Sequence, residues 1–169
     1  MMDDDLTLSR LLWRTENLFP DKEIVSRRSD GSCHRYTYGD FSDRVAQLGH
    51  ALDELDIGRE DKIGTYAWNT YRHLELYLAG PCHGAVTHTI NIQLRPSYVE
   101  HIINQADDDI LFIAPDLLED IEAVQDGIDV RAYVVLTDEE NVPETSLDPV
   151  YAYESLLEGQ PTDYEWPDL

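Results

Sequence analysis

The chain has 169 residues, 42% of them hydrophobic, with 35 acidic against 12 basic side chains and a formal net charge of −23. Such an apolar content excludes wholesale disorder, and a mean hydropathy of −0.43 without any apolar run near ~20 residues argues against a membrane-spanning helix. The length suits one globular domain, and the charge excludes a nucleic-acid or anionic-membrane partner held by a basic patch.

Residues 6–19 place Leu8, Leu11, Leu12, Trp13 and Leu18 roughly on one helical face. Glu23–Arg28 and Ser32–Thr37 flank Ser29-Asp30-Gly31, a turn sequence that predicts a β-hairpin. Thr37 is placed to cap a helix near Asp40, and Phe41, Val45, Leu48, Leu52 and Leu55 continue as one apolar stripe before Gly58. Strands and helices then alternate. Strand 62–67 leads to a helix from Thr70, expected to turn Leu74, Tyr77 and Leu78 inward. Strand 85–90 is followed by a helix opened by Pro96, with Val99, Ile102, Ile103 and Ala106 on one face. Strand 110–114, helix 116–125 and strand 131–136 complete the series. Strands separated by helices of this length predict an α/β fold, with a parallel-rich sheet, helices on both faces and an N-terminal hairpin. Residues 1–137 are read as this α/β unit. Residues 138–169 read as a polar loop, a short helix at most over Tyr151–Leu157, and an aperiodic tail.

The nine glycines never cluster between a strand and a helix, so neither a Walker-type loop nor a dinucleotide fingerprint is present. The six histidines lack the partners that a metal site needs, and no metal ligand is assigned. Ser42 and Ser97 belong to helices, without the flanking residues of a nucleophile elbow. Asp107-Asp108-Asp109 precedes a strand, whereas a phosphoacceptor aspartate follows one, so these acids read as a solvated loop. Position is the remaining guide, because parallel α/β sheets bind ligands beyond the C-terminal ends of their strands. Trp68 and Asn69 follow the first parallel strand, and His88 and Asn91 close the second. These four are the candidate substrate-binding residues, each with a structural alternative as core or turn residue.

Charge is interspersed through periodic segments rather than gathered in a tail, as in Asp53, Glu54, Asp56, Glu60 and Asp61. Such a surface suits multimolar salt, where screening shortens to about 3 Å or less and self-repulsion is tolerated; it points to a halophile. The acidic Met1–Asp5 run is unlike a signal peptide, which places the chain in the cytoplasm. Cys33 and Cys82 lack zinc or redox spacing and are expected as two buried or partly buried thiols.

Several short motifs fall together between residues 62 and 112: Ala67-Trp68-Asn69, His73-Leu74-Glu75, Gly84-Ala85-Val86, Thr89-Ile90-Asn91, Leu94 and Ile102-Ile103-Asn104. With Tyr36-Thr37-Tyr38 upstream and Tyr164-Glu165-Trp166-Pro167 downstream, they resemble the N-terminal part of the medium- and long-chain fatty-acid–CoA ligases. These are AMP-forming acyl-CoA synthetases of the acyl-adenylate-forming superfamily. Ile92 departs from the proline common at that position. The resemblance implies part of the large N-terminal domain of the adenylate-forming fold, and an activity that converts a fatty acid to its adenylate and then to a CoA thioester. It implies ATP, Mg2+ and CoA for the complete enzyme. The family's Pro-Lys-Gly phosphate loop, its threonine-glutamate motif, its ribose-binding aspartate and its C-terminal lysine have no counterparts here. No catalytic residue is therefore carried over, and this chain is expected to bind none of those cofactors alone. Its expected partner is the missing C-terminal part of the synthetase, or a second copy of itself. The competing reading is a non-catalytic module that completes a separately encoded catalytic half.

Overall fold

Ile110-Leu111-Phe112-Ile113 is apolar at every position and buried at every position, as a strand covered on both faces requires. In the computed structural model, which describes residues 7–28 and 31–169, this segment is β5 (Ile110–Ile113), the middle strand of a parallel sheet. Its neighbours are β3 (Lys62–Tyr66) and β6 (Ala132–Val135), with β4 (Val86–Thr89) and β7 (Val150–Ala152) at the two edges. The order is β4-β3-β5-β6-β7, and every pairing is parallel. A separate antiparallel hairpin joins β1 (Glu23–Arg27) and β2 (Cys33–Thr37), in register from Glu23↔Thr37 to Arg27↔Cys33. Gly31 takes the positive φ of 84° expected at its turn, while Ser29, Asp30 and the acidic Met1–Asp5 run lie outside the described residues.

Side-chain alternation along the strands builds two cores. Ile63, Ile110, Phe112 and Val134 point to one face, where α1 (Leu8–Leu18), α2 (Tyr38–Glu54), α3 (Tyr71–His83) and α6 (Tyr153–Leu157) pack. Tyr66, Leu111, Ile113, Tyr133 and Val135 point to the other, covered by α4 (Pro96–Ala106) and α5 (Leu118–Glu122). The α2 stripe lies as the spacing predicts, with Phe41, Val45, Leu48 and Leu52 buried and Leu55 packed against them. Thr37 closes a capping box with Asp40 at the start of that helix. Gly64 has no room for a side chain, since a Cβ there would lie 2.4 Å from Leu111 Cδ2 and 2.9 Å from Asp108 Oδ2.

Four expectations need correction. Val150–Ala152 is a fifth strand beside β6, not the start of a short helix, which begins only at Tyr153. Three residues are too few to reveal a period of two. The helix expected over 116–125 is broken into a 3-10 turn at Pro115–Leu117, the five-residue α5 and a second 3-10 turn at Gln125–Gly127. Helix α3 turns a partly different face inward, although Leu78 packs against the core as expected. Leu74 and Tyr77 are 36% and 37% exposed, whereas His73 and Glu75 are buried with polar partners. Cys82 is buried, and burial pushes its thiol up to about 11, but Cys33 is exposed. Among the described residues, no helix is long and apolar enough to cross a membrane.

Candidate functional site

The backbone leaves β3 at Tyr66 and turns through Ala67-Trp68-Asn69-Thr70 into α3. Two bonds fasten that turn. Thr70 N–H donates to the Trp68 carbonyl at 2.8 Å, and His73 Nδ1 lies 3.1 Å from the same oxygen. A carbonyl only accepts, so Nδ1 carries the proton and Nε2 accepts from the Thr65 hydroxyl at 3.0 Å. Burial lowers the His73 pKa and keeps the imidazole in this neutral form. The Trp68 ring stands 48% exposed, with its Nε1–H donating to Asp116 Oδ2 at 2.9 Å. The turn after β3 is thereby joined to the turn after β5.

Trp68 and Asn69 wall a cavity of about 1020 Å³. Ala114, Pro115 and Asp116 line it from the end of β5, and Leu136, Thr137 and Asp138 from the end of β6. It therefore opens where three adjacent parallel strands end, the position at which such sheets take ligands. Most of the rest of its lining comes from the hairpin and helices: Arg27, Arg28 and His34, then Arg44 of α2, Tyr71 and Arg72 of α3, and Glu154 of α6.

The arginines are held unequally. Glu75 is fully buried and receives Arg44 Nε at 2.8 Å, Arg44 Nη2 at 3.1 Å and the Tyr153 hydroxyl at 2.7 Å. Burial pushes the Glu75 pKa up, against the pull of Arg44 and Tyr153. Glu154 receives Arg44 Nη1 at 2.9 Å and Arg72 Nε at 2.7 Å. Burial alone would raise the Glu154 pKa, but the two guanidiniums together hold it below the ordinary carboxylate value. Arg72 also reaches the Leu136 carbonyl at 3.0 Å and Asp138 at 2.7 Å, which ties α3 to the end of β6. Arg28 bonds His34 Nδ1 at 2.9 Å.

The other two candidates sit elsewhere. His88 Nδ1 lies 2.9 and 2.8 Å from the two oxygens of Asp108, a buried carboxylate whose pKa burial raises against the pull of His88. The expected solvated loop at Asp107-Asp108-Asp109 is thus corrected, because Asp108 is a partner of the β4 edge. Asn91 Oδ1 accepts from Gln93 N–H at 2.9 Å, an Asx turn. Neither lines the large cavity, so the strand-end rule gathers Trp68 and Asn69 but not His88 and Asn91. The arginines escaped sequence reasoning because they come from three elements. The adjacent Arg27-Arg28 pair was the one available signal, in a chain whose only lysines are Lys22 and Lys62. Among the described residues, no three His, Cys, Asp or Glu side chains are grouped to hold a metal ion, so no seat for Mg2+ is assigned.

Comparison with known proteins gives one answer at the level of sequence and of fold. Residues 12–166 match the family described as AMP-binding enzyme. The long-chain-fatty-acid–CoA ligase of Thermus thermophilus is 39% identical over 163 residues, covering 96% of this chain and 29% of that protein. The 3-methylmercaptopropionyl-CoA ligase of Ruegeria lacuscaerulensis is 34% identical, covering 99% of this chain and 31% of the relative. A putative long-chain-fatty-acid CoA ligase from Rhodopseudomonas palustris superposes with a TM-score of 0.79 at 20% identity, over 98% of this chain and 39% of that one. The anthranilate CoA ligase AuaEII, solved with anthranoyl-AMP, gives a TM-score of 0.78 at 18% identity, over 96% of this chain and 29% of that one. The chain thus spans about a third or less of the curated relatives it matches, and it belongs to the AMP-binding enzyme family.

Proposed function

We propose that this chain is the N-terminal portion of an AMP-forming fatty-acid–CoA ligase of a halophile, working in the cytoplasm, and that it is inactive alone. In this reading the complete enzyme condenses a carboxylate with ATP, releases pyrophosphate, and transfers the acyl group from AMP to CoA. Residues 1–137 supply four of the five strands of the parallel sheet, and 138–169 add the fifth and run on toward the phosphate loop that the rest of the ligase provides. The observation that carries the reading is the cavity at the ends of β3, β5 and β6, whose wall includes Trp68 and Asn69. Its volume of about 1020 Å³ lies at the upper end of small-molecule sites. Trp68 offers a flat apolar surface to an acyl chain, and Asn69 a donor and an acceptor to its polar end. His88 and Asn91 act from the end of β4, by fixing the strand edge and the turn after it. ATP, Mg2+ and CoA are held mainly by the remainder of the ligase.

The test is acyl-dependent ATP–pyrophosphate exchange by the purified chain in multimolar KCl. The expected rate equals that of a protein-free control. Exchange above that control would show that the chain carries its own adenylation chemistry and would overturn the proposal.

A further inference from the structure

We propose that the hairpin side of the large cavity is an anion-binding site for a phosphate group carried by a larger molecule, with Arg28 as its principal ligand and Arg27 beside it. The first observation is a clustering of three cations around one aromatic ring. The guanidinium carbons of Arg28, Arg44 and Arg72 lie 5.9, 5.6 and 4.9 Å from the centre of one ring, that of Tyr71. Three like charges around one aromatic ring repel one another unless anions intervene. Two of them have anions. Arg44 is held by Glu75 and Glu154, and Arg72 by Glu154 and Asp138.

Arg28 is different. Among the described residues it has no carboxylate partner, and its one side-chain hydrogen bond goes to neutral His34. Because a guanidinium only donates, His34 Nδ1 accepts, and the imidazole carries its proton on Nε2. Burial is the main cause that lowers the His34 pKa, and the charges of Arg28, Arg44 and Arg72 add to it against the opposing Glu154. Arg28 keeps most of its donor fork for something else, and so does Arg27, which also lines the cavity.

Shape and position agree with the charge. The N-terminal end of α3 lines the same space through Thr70, Tyr71 and Arg72 and has no acid in its first turn, although its Tyr71 N–H is already taken by the Ser26 hydroxyl at 3.0 Å. A fork of arginine donors matches a phosphate oxyanion in geometry as well as charge. The cavity is far larger than one phosphate, and the half-exposed Trp68 that also lines it offers a face to a planar group. A chain with a net charge of −23 repels polyanions over most of its surface, so binding of one requires a local site of this kind.

The inference does not depend on the ligase reading, since pyrophosphate binding is measured without turnover. Calorimetric titration of the whole chain with inorganic pyrophosphate, in the lowest salt at which far-UV circular dichroism shows it folded, tests the site. Saturable one-to-one binding is expected, weakened at least tenfold by Arg28→Gln and unchanged by Arg35→Gln, whose guanidinium pairs with exposed Glu23 outside the cavity. A parallel titration with AMP separates the two sources of phosphate. Tighter binding of AMP than of inorganic phosphate, reduced by Trp68→Ala, is the result expected for a phosphate carried by a larger molecule; equal binding would overturn that part of the proposal. Absence of pyrophosphate binding, or binding that Arg28→Gln leaves intact in a folded protein, would overturn the proposal.

Discussion

Trp68 and Asp116 meet across the ends of two neighbouring strands, indole Nε1–H to carboxylate Oδ2 at 2.9 Å. Behind that contact the Trp68 carbonyl is fixed by His73, and His73 by Thr65 of β3. The Trp68 side of the cavity is therefore tied to the sheet by a chain of bonds, not held by the tryptophan alone.

The His73 link makes a pH dependence expected. Burial lowers its pKa from the ordinary 6.5, so the unfolded chain takes up the proton first. The stabilisation is complete above the unfolded value and is lost as pH falls through the lower folded value. Denaturation midpoints should fall on acidification below about pH 6.5, and His73→Gln should flatten that part of the profile. An unchanged slope in the variant would remove His73 from this role.

Glu75 and Glu23 bracket what an ion pair is worth in this protein. Glu75 is fully buried against Arg44, so Glu75→Gln leaves a partly buried guanidinium short of an anion. The expected loss is about 3 kcal/mol, toward the low end for breaking a buried pair because Glu154 remains. Glu23→Gln breaks a pair whose side chains are both more than half exposed, and about 0.5 kcal/mol or less is expected. Urea titrations at constant salt compare the two, and equal losses would show that the buried network carries no special weight.

The capping box at Thr37 predicts a smaller effect. Thr37 Oγ1 accepts from Asp40 N–H at 3.1 Å, while Asp40 Oδ2 accepts from Thr37 N–H at 2.8 Å. Thr37→Ala should cost about 1 kcal/mol. The bonds from Thr37 hold the Asp40 pKa below its ordinary 3.8, so this contribution is present above that value and is lost as pH falls through the lower one. The difference between wild type and Thr37→Ala should accordingly shrink below about pH 4. A difference that persists undiminished in strong acid would mean that the bond from Asp40 N–H to Thr37 Oγ1, which does not titrate, carries the whole effect.

What was legible in the sequence follows the range of the forces involved. The α2 stripe from Phe41 to Leu52 and the alternation of strands and helices are local patterns, and both appear in the fold. The Trp68-Asn69 turn is legible as a candidate because strand ends in such sheets mark ligand crevices, and it lines the large cavity. The inward face of α3 was not legible. Glu75 is buried because Arg44 and Tyr153, 31 and 78 residues away, satisfy it, and hydrophobicity alone places a glutamate outside. The same reason hid Asp108, which reads as one of three solvated acids until His88 of β4 is placed against it.

The tail after α6 was read as aperiodic, and its order comes from one missing side chain. A Cβ on Gly49 would lie 2.9 Å from Tyr164 Cγ and 3.1 Å from Trp166 Cη2, so both rings lie directly on the α2 backbone. His50 Nε2 donates to the Asp163 carbonyl at 2.7 Å and Gln47 to the Gln160 carbonyl at 3.1 Å, which fastens the chain along the same helix. Gly49→Ala sets two opposing effects against each other. Alanine favours the helix by about 1 kcal/mol, whereas overpacking costs about 1–3 kcal/mol unless the rings move away. Since the tail can yield more easily than a buried helix, undocking is the expected response, with little change in global stability. Trp166 fluorescence, read in a Trp13→Phe/Trp68→Phe background, should shift to the red, and proteolysis should cut faster between residues 160 and 169. An unshifted spectrum with unchanged cleavage would show that the aromatic contacts do not hold the tail.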